Sequence, residues 1–202
     1  MWEGMARRLE GRIVTVEPLA PEHEAGLRRA ASDPEVWRWL PWNGGESEQT
    51  FHRWMEDALE RSADGLDCAF VVLDAESGDP LGSTRYLAMR PEHRVVEIGW
   101  TWLGPGAWRT GANAEAKLLL LGHAFDELGC MRVEFKTDAL NEKARAALEA
   151  LPARFEGIFR KHMLVRGGTV RDSAWYAITD DEWAAVHASL ERRVNAKAAR
   201  RS

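Results

Sequence analysis

The sequence predicts a mixed α/β (α+β) fold in which a mostly antiparallel sheet is flanked by helices. Short runs rich in β-branched and aromatic residues are separated by turn-forming segments, and helical segments with capping residues stand between some of them. The order of these elements is neither strict βαβ alternation nor an all-β pattern. A chain of 202 residues, 45% of them hydrophobic, is expected to form a single domain over residues 1–202.

The first third of the chain predicts one strand and three helices. The helices start at a proline-led turn, at an Asp-Pro pair and at a serine N-cap. In order, these elements are a strand over residues 12–19 that Pro18 closes, a helix over residues 21–31, a helix with Asp33 as N-cap and Pro34 at its first position, and a helix from Ser47 to about Arg61.

The rest of the chain predicts six strands and three helices. "CAFVVLDAESGDPLGSTRYLAM" and "RVVEIGWTWLG" form three strands of an antiparallel meander, separated by "ESGDP" and "RPEH". The helix of residues 113–128 is apolar over most of its surface and should lie across the sheet. The remaining elements are a strand over residues 132–138, a helix capped by Asn141, a hairpin from residue 154 to residue 179, and a helix that opens with a Thr179–Glu182 capping box.

Charge and cysteine content exclude several classes of protein. A net charge of −5 argues against a general nucleic-acid binder, because such proteins need excess Lys and Arg to neutralise phosphates. The basic end, from about residue 192, is expected to be a short solvated tail. Cys68 and Cys130 show no close pairing, so reduced thiols in the cytoplasm are expected. No signal peptide or membrane-spanning apolar run is predicted.

The segment "GPGAWRTGANAEAKLLLLGHAF" joins a loop of small residues to the long helix. Unpaired N–H groups at a helix start, together with the helix dipole, favour an anion there. Gly106 and Gly111 fit half of a P-loop, but Ala112 and Asn113 stand where Lys and Ser or Thr are needed. A dinucleotide-binding G-x-G-x-x-G is excluded because Arg109 occupies the position of its third glycine.

The longer stretch "EIGWTWLGPGAWRTGANAEAKLLLLGHAFDELGCMRVEFKTDALNEKARAALEAL" closely resembles the GNAT acetyltransferases, especially their RimJ/RimL-type branch. The resemblance extends to "DPEVWRWLP" before it and "FEGIFRKHMLVRGGTVRDSAWYAI" after it, and so covers most of the chain. It implies that the strand "VEIGWTWL" splays from its neighbour, that the following loop wraps a pyrophosphate, and that acetyl-CoA lies in the opening.

The resemblance assigns the acetyl-CoA contacts to particular positions. The main chain of the splayed strand would pair with the pantetheine, and a backbone N–H there would polarise the thioester carbonyl. The loop and the helix start would contact the pyrophosphate. Asn141 would reach the pantetheine arm, and Arg145 would lie near the phosphates. The cofactor-binding residues implied are Thr101, Trp102, Leu103, Arg109, Thr110, Gly111, Ala112, Asn113, Asn141 and Arg145.

A general base is implied on the same strand. Glu97 matches the acidic position in the family's "EIG" motif and would remove the proton of the attacking amine, directly or through a water. The alternative is that Glu97 is only a polar residue on a strand face, and both interpretations stay open. Asp138 is a less favoured candidate. No Ser or Cys stands in a nucleophile motif, so the amine is expected to attack the thioester directly.

The chain departs from the family pattern at several positions. Arg109 replaces a glycine and follows the bulky Trp108; the pair either obstructs the loop or adds a fork-shaped guanidinium donor for the pyrophosphate, which its chemistry favours. Ala144 and Leu148 occupy positions where some relatives carry a general acid. A thiolate still leaves without one, because a free thiol titrates near ~8.5. Pro152 replaces the glycine that commonly ends the helix.

Aromatic residues suggest the acceptor side of the site. The chain has ten tryptophans, and Trp37, Trp39 and Trp42 fall together before a glycine pair. The resemblance implies that this region borders the acceptor pocket, so these three are candidate substrate-binding residues, with core packing as the alternative for each. The six histidines are scattered without metal-binding spacing, so no metal is expected.

The sequence thus predicts an acetyl-CoA-dependent N-acetyltransferase that acts on a primary amine. The acceptor implied by the resemblance is a protein N-terminal amine. Two alternatives stay open: an enzyme for small-molecule amines such as antibiotics or polyamines, and a non-catalytic module that binds CoA. Exposed sheet edges and the terminal hairpin could support a homodimer. No nucleic-acid or membrane partner is expected.

Overall fold

The structure is a computed structural model of the chain, and it describes residues 2–199. Within that range, eight strands form one sheet in the order β1-β2-β3-β4-β5-β6-β8-β7. All neighbours are antiparallel except β5 and β6, which run parallel. The strands are β1 (Leu9–Glu10), β2 (Val14–Pro18), β3 (Cys68–Asp74), β4 (Pro80–Arg90), β5 (Val95–Leu103), β6 (Arg132–Asp138), β7 (Arg154–Val165) and β8 (Thr169–Thr179).

Helices cover both faces of the sheet. The larger core lies between the sheet and helices α3 and α5, and a second core lies between β3 and the helices α1 and α2 on the opposite face. The predicted fold class, a mostly antiparallel mixed sheet flanked by helices, is confirmed. The α-helices are α1 (Glu24–Ala30), α2 (Glu48–Ala63), α3 (Ala112–Gly122), which continues as a π-helical turn over His123–Glu127, α4 (Glu142–Glu149) and α5 (Asp180–Ala198).

The predicted caps form as the sequence indicated. The Ser47 hydroxyl accepts a hydrogen bond from the Thr50 N–H at 3.1 Å at the start of α2. Asn141 Oδ1 accepts from the Ala144 N–H at 3.0 Å at the start of α4. These side chains satisfy N–H groups that have no partner within the helix, which fixes where each helix begins.

The helix predicted at Asp33 is wrong in extent. Asp33 does cap a turn, since its carboxylate accepts from the Glu35 N–H at 2.8 Å, but only a 3-10 turn over Pro34–Val36 forms. The Trp37 side chain is 2% exposed, and its indole N–H donates to the Ala31 carbonyl at 2.9 Å. Burying this ring beside α2 redirects the chain and overrides the local helical preference.

The apolar helix α3 buries two charged residues that its pattern of leucines did not reveal. Glu115 is 3% exposed and Lys117 is 6% exposed, whereas Leu118 and Leu128 are only half-buried. The Glu115 carboxylate accepts hydrogen bonds from three consecutive N–H groups, those of Arg12, Ile13 and Val14, at 3.0, 2.5 and 2.7 Å. It therefore fastens the start of β2 to α3.

The predicted basic tail is shorter than expected. Residues 192–198 continue α5, because Val194 is 3% exposed in the core and Lys197 donates to the Arg109 carbonyl at 2.9 Å. Arg200 and Arg201 of the predicted tail lie outside the described residues. Among residues 2–199, no helix combines the length and apolar character needed to cross a membrane.

Candidate active site

The parallel strands β5 and β6 separate partway along their length. Their pairing is confined to one end and stops at Glu97 and Glu134. Beyond that point β5 stays paired with β4 as far as Leu103, and β6 stays paired with β8 as far as Asp138. The second halves of β5 and β6 therefore diverge into a V-shaped cleft, as the resemblance implied.

A bulge shapes the β5 edge of this cleft. Ser83 pairs with Trp102 and Arg85 pairs with Gly99, so β5 carries one residue more than β4 between these pairs. Trp100 has φ 50°, the left-handed region that relieves the extra residue. The bulge changes the orientation of successive backbone groups along the free edge of β5. Among residues 2–199, no strand pairs with the N–H and C=O groups on the β6 side of residues 98–103.

The loop after β5 leads into α3 through a glycine that the fold requires. Gly111 has φ 102°, and a Cβ there would lie 2.9 Å from both Ile13 Cδ1 and Lys197 Cβ. The Ala112 N–H already donates to Thr110 Oγ1 at 3.2 Å. Within residues 2–199, the N–H groups of Gly111 and Asn113 have no acceptor. The N–H groups of Gly111 and Asn113 are therefore available to an anion, whereas that of Ala112 is already engaged.

Arg109 adopts a conformation that usually belongs to glycine. Its φ of 64° lies in the left-handed region, its side chain is exposed, and its carbonyl accepts from Lys197. Because a left-handed φ strains any residue with a Cβ, a glycine would suit this loop position better. The exposed Arg109 side chain lies at the surface beside the start of α3.

Trp108 folds back onto the end of β5. Its indole N–H donates to the Leu103 carbonyl at 2.7 Å, and the Lys143 ammonium of α4 lies 3.8 Å from the centre of a ring of this side chain. Trp108 and Lys143 thus connect the loop to α4. Lys143 was missed in the sequence, where an exposed lysine on a helix gives no signal.

Asn141 and Arg145 lie at the other wall of the cleft. Asn141 follows β6 and caps α4 with its side-chain oxygen. The Arg145 guanidinium donates to the Tyr176 hydroxyl at 3.1 Å and lies over the Phe155 ring at 5.5 Å. Within the described chain Arg145 makes no hydrogen bond to the loop, whereas Lys143 contacts the loop at Trp108.

Glu97 lies where β5 and β6 part, on the sheet face opposite α3. Its side chain is 2% exposed, and Lys136 donates to its carboxylate at 2.7 Å. Burial raises the pKa of Glu97, and the Lys136 charge and hydrogen bond oppose that rise. A Cβ on Gly99 would lie 2.9 Å from Glu97 Oε1, so the carboxylate packs closely against this glycine.

The same sheet face carries further charged residues beside Glu97. Strand alternation places Lys136 and Asp138 of β6 and Arg171 of β8 on this face, because Phe135 and Ala174 face the core under α3. Asp138 accepts from Arg166 Nη2 at 3.0 Å. We call Glu97, Lys136, Asp138, Arg166 and Arg171 the polar cluster. The alternation in "RVEFKTD" could have indicated its β6 members.

A pocket of about 380 Å³ opens next to this face. The turn between β7 and β8 closes one side of the pocket, where the Arg166 N–H donates to the Pro41 carbonyl at 2.9 Å. The pocket is lined by Pro34, Trp37, Arg38, Trp42, Asn43, Glu46, Arg166 and Gly167.

The three predicted acceptor-side tryptophans have different environments. Trp37 is 2% exposed and packs in the second core, although its edge reaches the pocket. Trp42 is half-buried and lines the pocket. The Arg166 guanidinium lies 6.0 Å from the Trp39 ring centre. The structure therefore brings all three close to the pocket, with Trp37 mainly a core residue.

Lys117 is a buried cation on the α3 side of β5. Its ammonium donates to Thr101 Oγ1 at 2.7 Å and to Thr84 Oγ1 at 3.4 Å. Burial lowers the pKa of Lys117 to about 7. Thr101, expected at the pantetheine, is thus oriented from beneath by Lys117.

In the part of the chain that the structure describes, no group of three or more His, Cys, Asp or Glu side chains is arranged to hold a metal ion.

Comparison with known proteins gives one consistent result. An acetyltransferase (GNAT) domain family matches residues 14–154. The structure of a GCN5-related N-acetyltransferase from Brucella melitensis superposes with a TM-score of 0.87 at 33% identity, covering 94% of this chain and 86% of that one. A protein from T. thermophilus gives a TM-score of 0.86 at 38% identity, covering 96% and 99% of the two chains.

More distant likeness shows the fold alone. A ribosomal-protein-S5-alanine acetyltransferase from Vibrio fischeri superposes with a TM-score of 0.70 at 18% identity, covering 88% of this chain and 98% of that one. No curated protein matches this sequence.

Proposed function

The chain belongs to the GNAT family of acetyltransferases, and we propose that it transfers an acetyl group from acetyl-CoA to a primary amine by direct attack. The observation that carries this proposal is the cleft between β5 and β6, which has an unpaired β5 edge along one wall and the helix start at Gly111 beside it. A long, anionic cofactor needs both an edge to pair with and an anion site.

The residues present fit acetyl-CoA. The main chain of Thr101, Trp102 and Leu103 would pair with the pantetheine amides, and a backbone N–H at the bulge would polarise the thioester carbonyl. Leu103 would offer its N–H, since its carbonyl already accepts from Trp108. Asn141 uses its oxygen as a cap, so its amide nitrogen would meet the pantetheine arm.

The pyrophosphate would lie at the start of α3. The N–H groups of Gly111 and Asn113 would donate to it, with the Ala112 backbone and the Thr110 hydroxyl holding the turn. The exposed Arg109 guanidinium would add a fork-shaped donor. Arg145 would contribute only after leaving Tyr176, so Lys143 is the α4 cation that we place near the phosphates.

The chemistry requires a neutral amine at the thioester carbon. The amine nitrogen forms the new C–N bond, the C–S bond breaks, and the CoA thiolate leaves. Glu97 would take the proton that the amine loses, directly or through a water, because it lies at the root of the cleft with a pKa raised by burial. Ala144 and Leu148 stand where a general acid could protonate the thiolate. The thiolate leaves without one, since the pKa of a free thiol is about 8.5.

The acceptor class that we propose is a protein N-terminal amine, supported by the sequence resemblance to the RimJ/RimL-type branch. The pocket beside Trp42 and Arg166 would receive it. A small-molecule amine is the competing acceptor, and a CoA-binding module without activity is the competing function. The same experiment separates all three.

The test follows free thiol release from acetyl-CoA with a panel of N-terminal peptides and small amines. We expect amine-dependent turnover that falls in Glu97→Gln while the affinity for acetyl-CoA stays nearly unchanged. Glu134→Gln is the control: Glu134 lies opposite Glu97 in the β5–β6 register and forms ion pairs with Arg90 and Arg132. Its charge helps to raise the pKa of Glu97, so its loss should lower that pKa but leave the base in place. Acetyl-CoA binding without turnover by any amine would contradict the proposal.

A further inference from the structure

The polar cluster contains one more cation than anion. Its cations are Lys136, Arg166 and Arg171, and its carboxylates are Glu97 and Asp138. Lys136 is paired with Glu97 at 2.7 Å, and Arg166 is paired with Asp138 at 3.0 Å. Both carboxylates of the cluster are therefore already engaged by a cation, and Arg171 is left over.

Arg171 is buried without an ion-pair partner among the residues that the structure describes. Its side chain is 5% exposed, and within residues 2–199 its Nε has no hydrogen-bond partner. Arg85, buried on the same face, also has nitrogens without a hydrogen-bond partner, but its Nη1 lies 3.2 Å from the Asp67 carboxylate. No carboxylate of the described residues forms an ion pair with Arg171. An unpaired buried cation is costly, and that cost falls if an anion binds beside it.

The surroundings of Arg171 place it beside the expected reaction centre. Its charge acts on both Glu97 and His162, and the charges of Asp138 and Arg166 act on it. It follows the β7–β8 turn, whose Arg166 forms part of the pocket wall. An anion bound at Arg171 would thus lie on the same sheet face as the amine whose proton Glu97 removes.

We propose that Arg171 binds a carboxylate of the acceptor, so that the substrate is a primary amine that also carries a carboxylate. This inference rests on the proposed function, because it assigns the acceptor to the same site. The carboxylate completes the polar cluster to three cations and three anions, and Arg171 supplies the planar, charge-assisted donor that suits it. Its source is either a free amino acid or an acidic side chain of an N-terminal peptide.

The proposal is tested by binding, so that it does not depend on turnover. Acceptors are titrated calorimetrically into the protein saturated with CoA, as matched pairs in which a carboxamide replaces the carboxylate. One pair is γ-aminobutyrate and its amide; the other is the peptide amides Ser-Glu-Ala and Ser-Gln-Ala. We expect the carboxylate of at least one pair to bind about 10- to 100-fold more tightly than its amide, the range of a hydrogen bond to a charged group. The pair whose carboxylate binds more tightly than its amide shows whether the carboxylate comes from a free amino acid or from a peptide side chain.

Variants of Arg171 then test whether this residue causes the preference for the carboxylate over the amide. Arg171→Gln is expected to abolish it, and Arg171→Lys is expected to retain part of it because the cation remains. Arg160→Gln, a change at an exposed position of β7, is expected to retain it fully. Equal affinity for acid and amide in both pairs of the unaltered protein would overturn the proposal even if the variants fail to fold. So would a preference that survives in folded Arg171→Gln. Failure of the proposed function is seen separately, as the absence of acetyl-CoA binding or of thiol release.

Discussion

The Lys136 ammonium lies 2.7 Å from the Glu97 carboxylate, and Lys136 stands two residues beyond the last position at which β6 pairs with β5. The ion pair therefore connects the two walls of the cleft at its root. It also counteracts the effect of burial on the carboxylate, since the positive charge of Lys136 lowers a pKa that burial raises.

Removing Lys136 should move the acidic limb of the pH–rate profile. Glu97 must be ionised to accept a proton, so kcat/KM should rise with pH through its raised pKa. Lys136→Met removes the charge that lowers this pKa, and the limb should move to higher pH. The measurement is kcat/KM against pH for both proteins, with Lys161→Met, at an exposed position, as control. An unmoved limb would show that Glu97 is not the base.

Lys117 should make stability depend on pH. Below about pH 7 both the folded and the unfolded chain carry its proton, so the cost of burying the charge is fully present. Between there and the ordinary lysine pKa near ~10.4, only the unfolded chain binds the proton, and the free energy of unfolding should rise with pH. Lys117→Met should lack this rise. Urea unfolding across the window checks this, and equal slopes for both proteins would contradict it.

Glu115→Gln should destabilise the fold without changing the residues that line the cleft between β5 and β6. The carboxylate accepts from three backbone N–H groups, and the amide replaces one acceptor oxygen with a donor that opposes them. We expect a loss of about 2 to 3 kcal/mol in the free energy of unfolding. Denaturant unfolding measures it, and Glu76→Gln at an exposed turn is the control. Equal stability of the two variants would refute the role of Glu115.

Arg109 should show opposite effects on stability and on binding. Arg109→Gly relieves a left-handed backbone and should stabilise the fold by about 1 kcal/mol, while removing a donor from the pyrophosphate should weaken acetyl-CoA binding. Arg109→Ala keeps the strain and loses the same donor. The two variants should therefore bind acetyl-CoA equally weakly and differ in melting temperature. Unchanged affinity in both would place the Arg109 side chain away from the phosphates.

The fold was largely predictable because its local signals agree. Ser47 and Asn141 cap the helices that they were expected to cap, and the turn-rich segments delimit the meander. The prediction failed at Asp33, where a correct cap leads only into a 3-10 turn. Burial of Trp37 against α2 decides that region, and a contact distant in the sequence is not visible in local propensity.

The site was predictable only where the chain itself carries the signal. The Gly111 turn and the β5 edge follow from the loop and its family resemblance. Lys117, Lys136 and Arg171 were missed, since a charged residue in an apolar element looks the same whether it is paired, solvated or buried. Their partners are on other elements, and the fold alone brings them together.

The central claim, that this cleft binds acetyl-CoA, is tested most directly by a calorimetric titration of the purified protein with acetyl-CoA, beside ATP and NAD as controls. Saturable binding of acetyl-CoA alone, weakened by Arg109→Gly, is the predicted result. No binding of acetyl-CoA would mean that Trp108 and Arg109 close the loop, and it would contradict the proposed function.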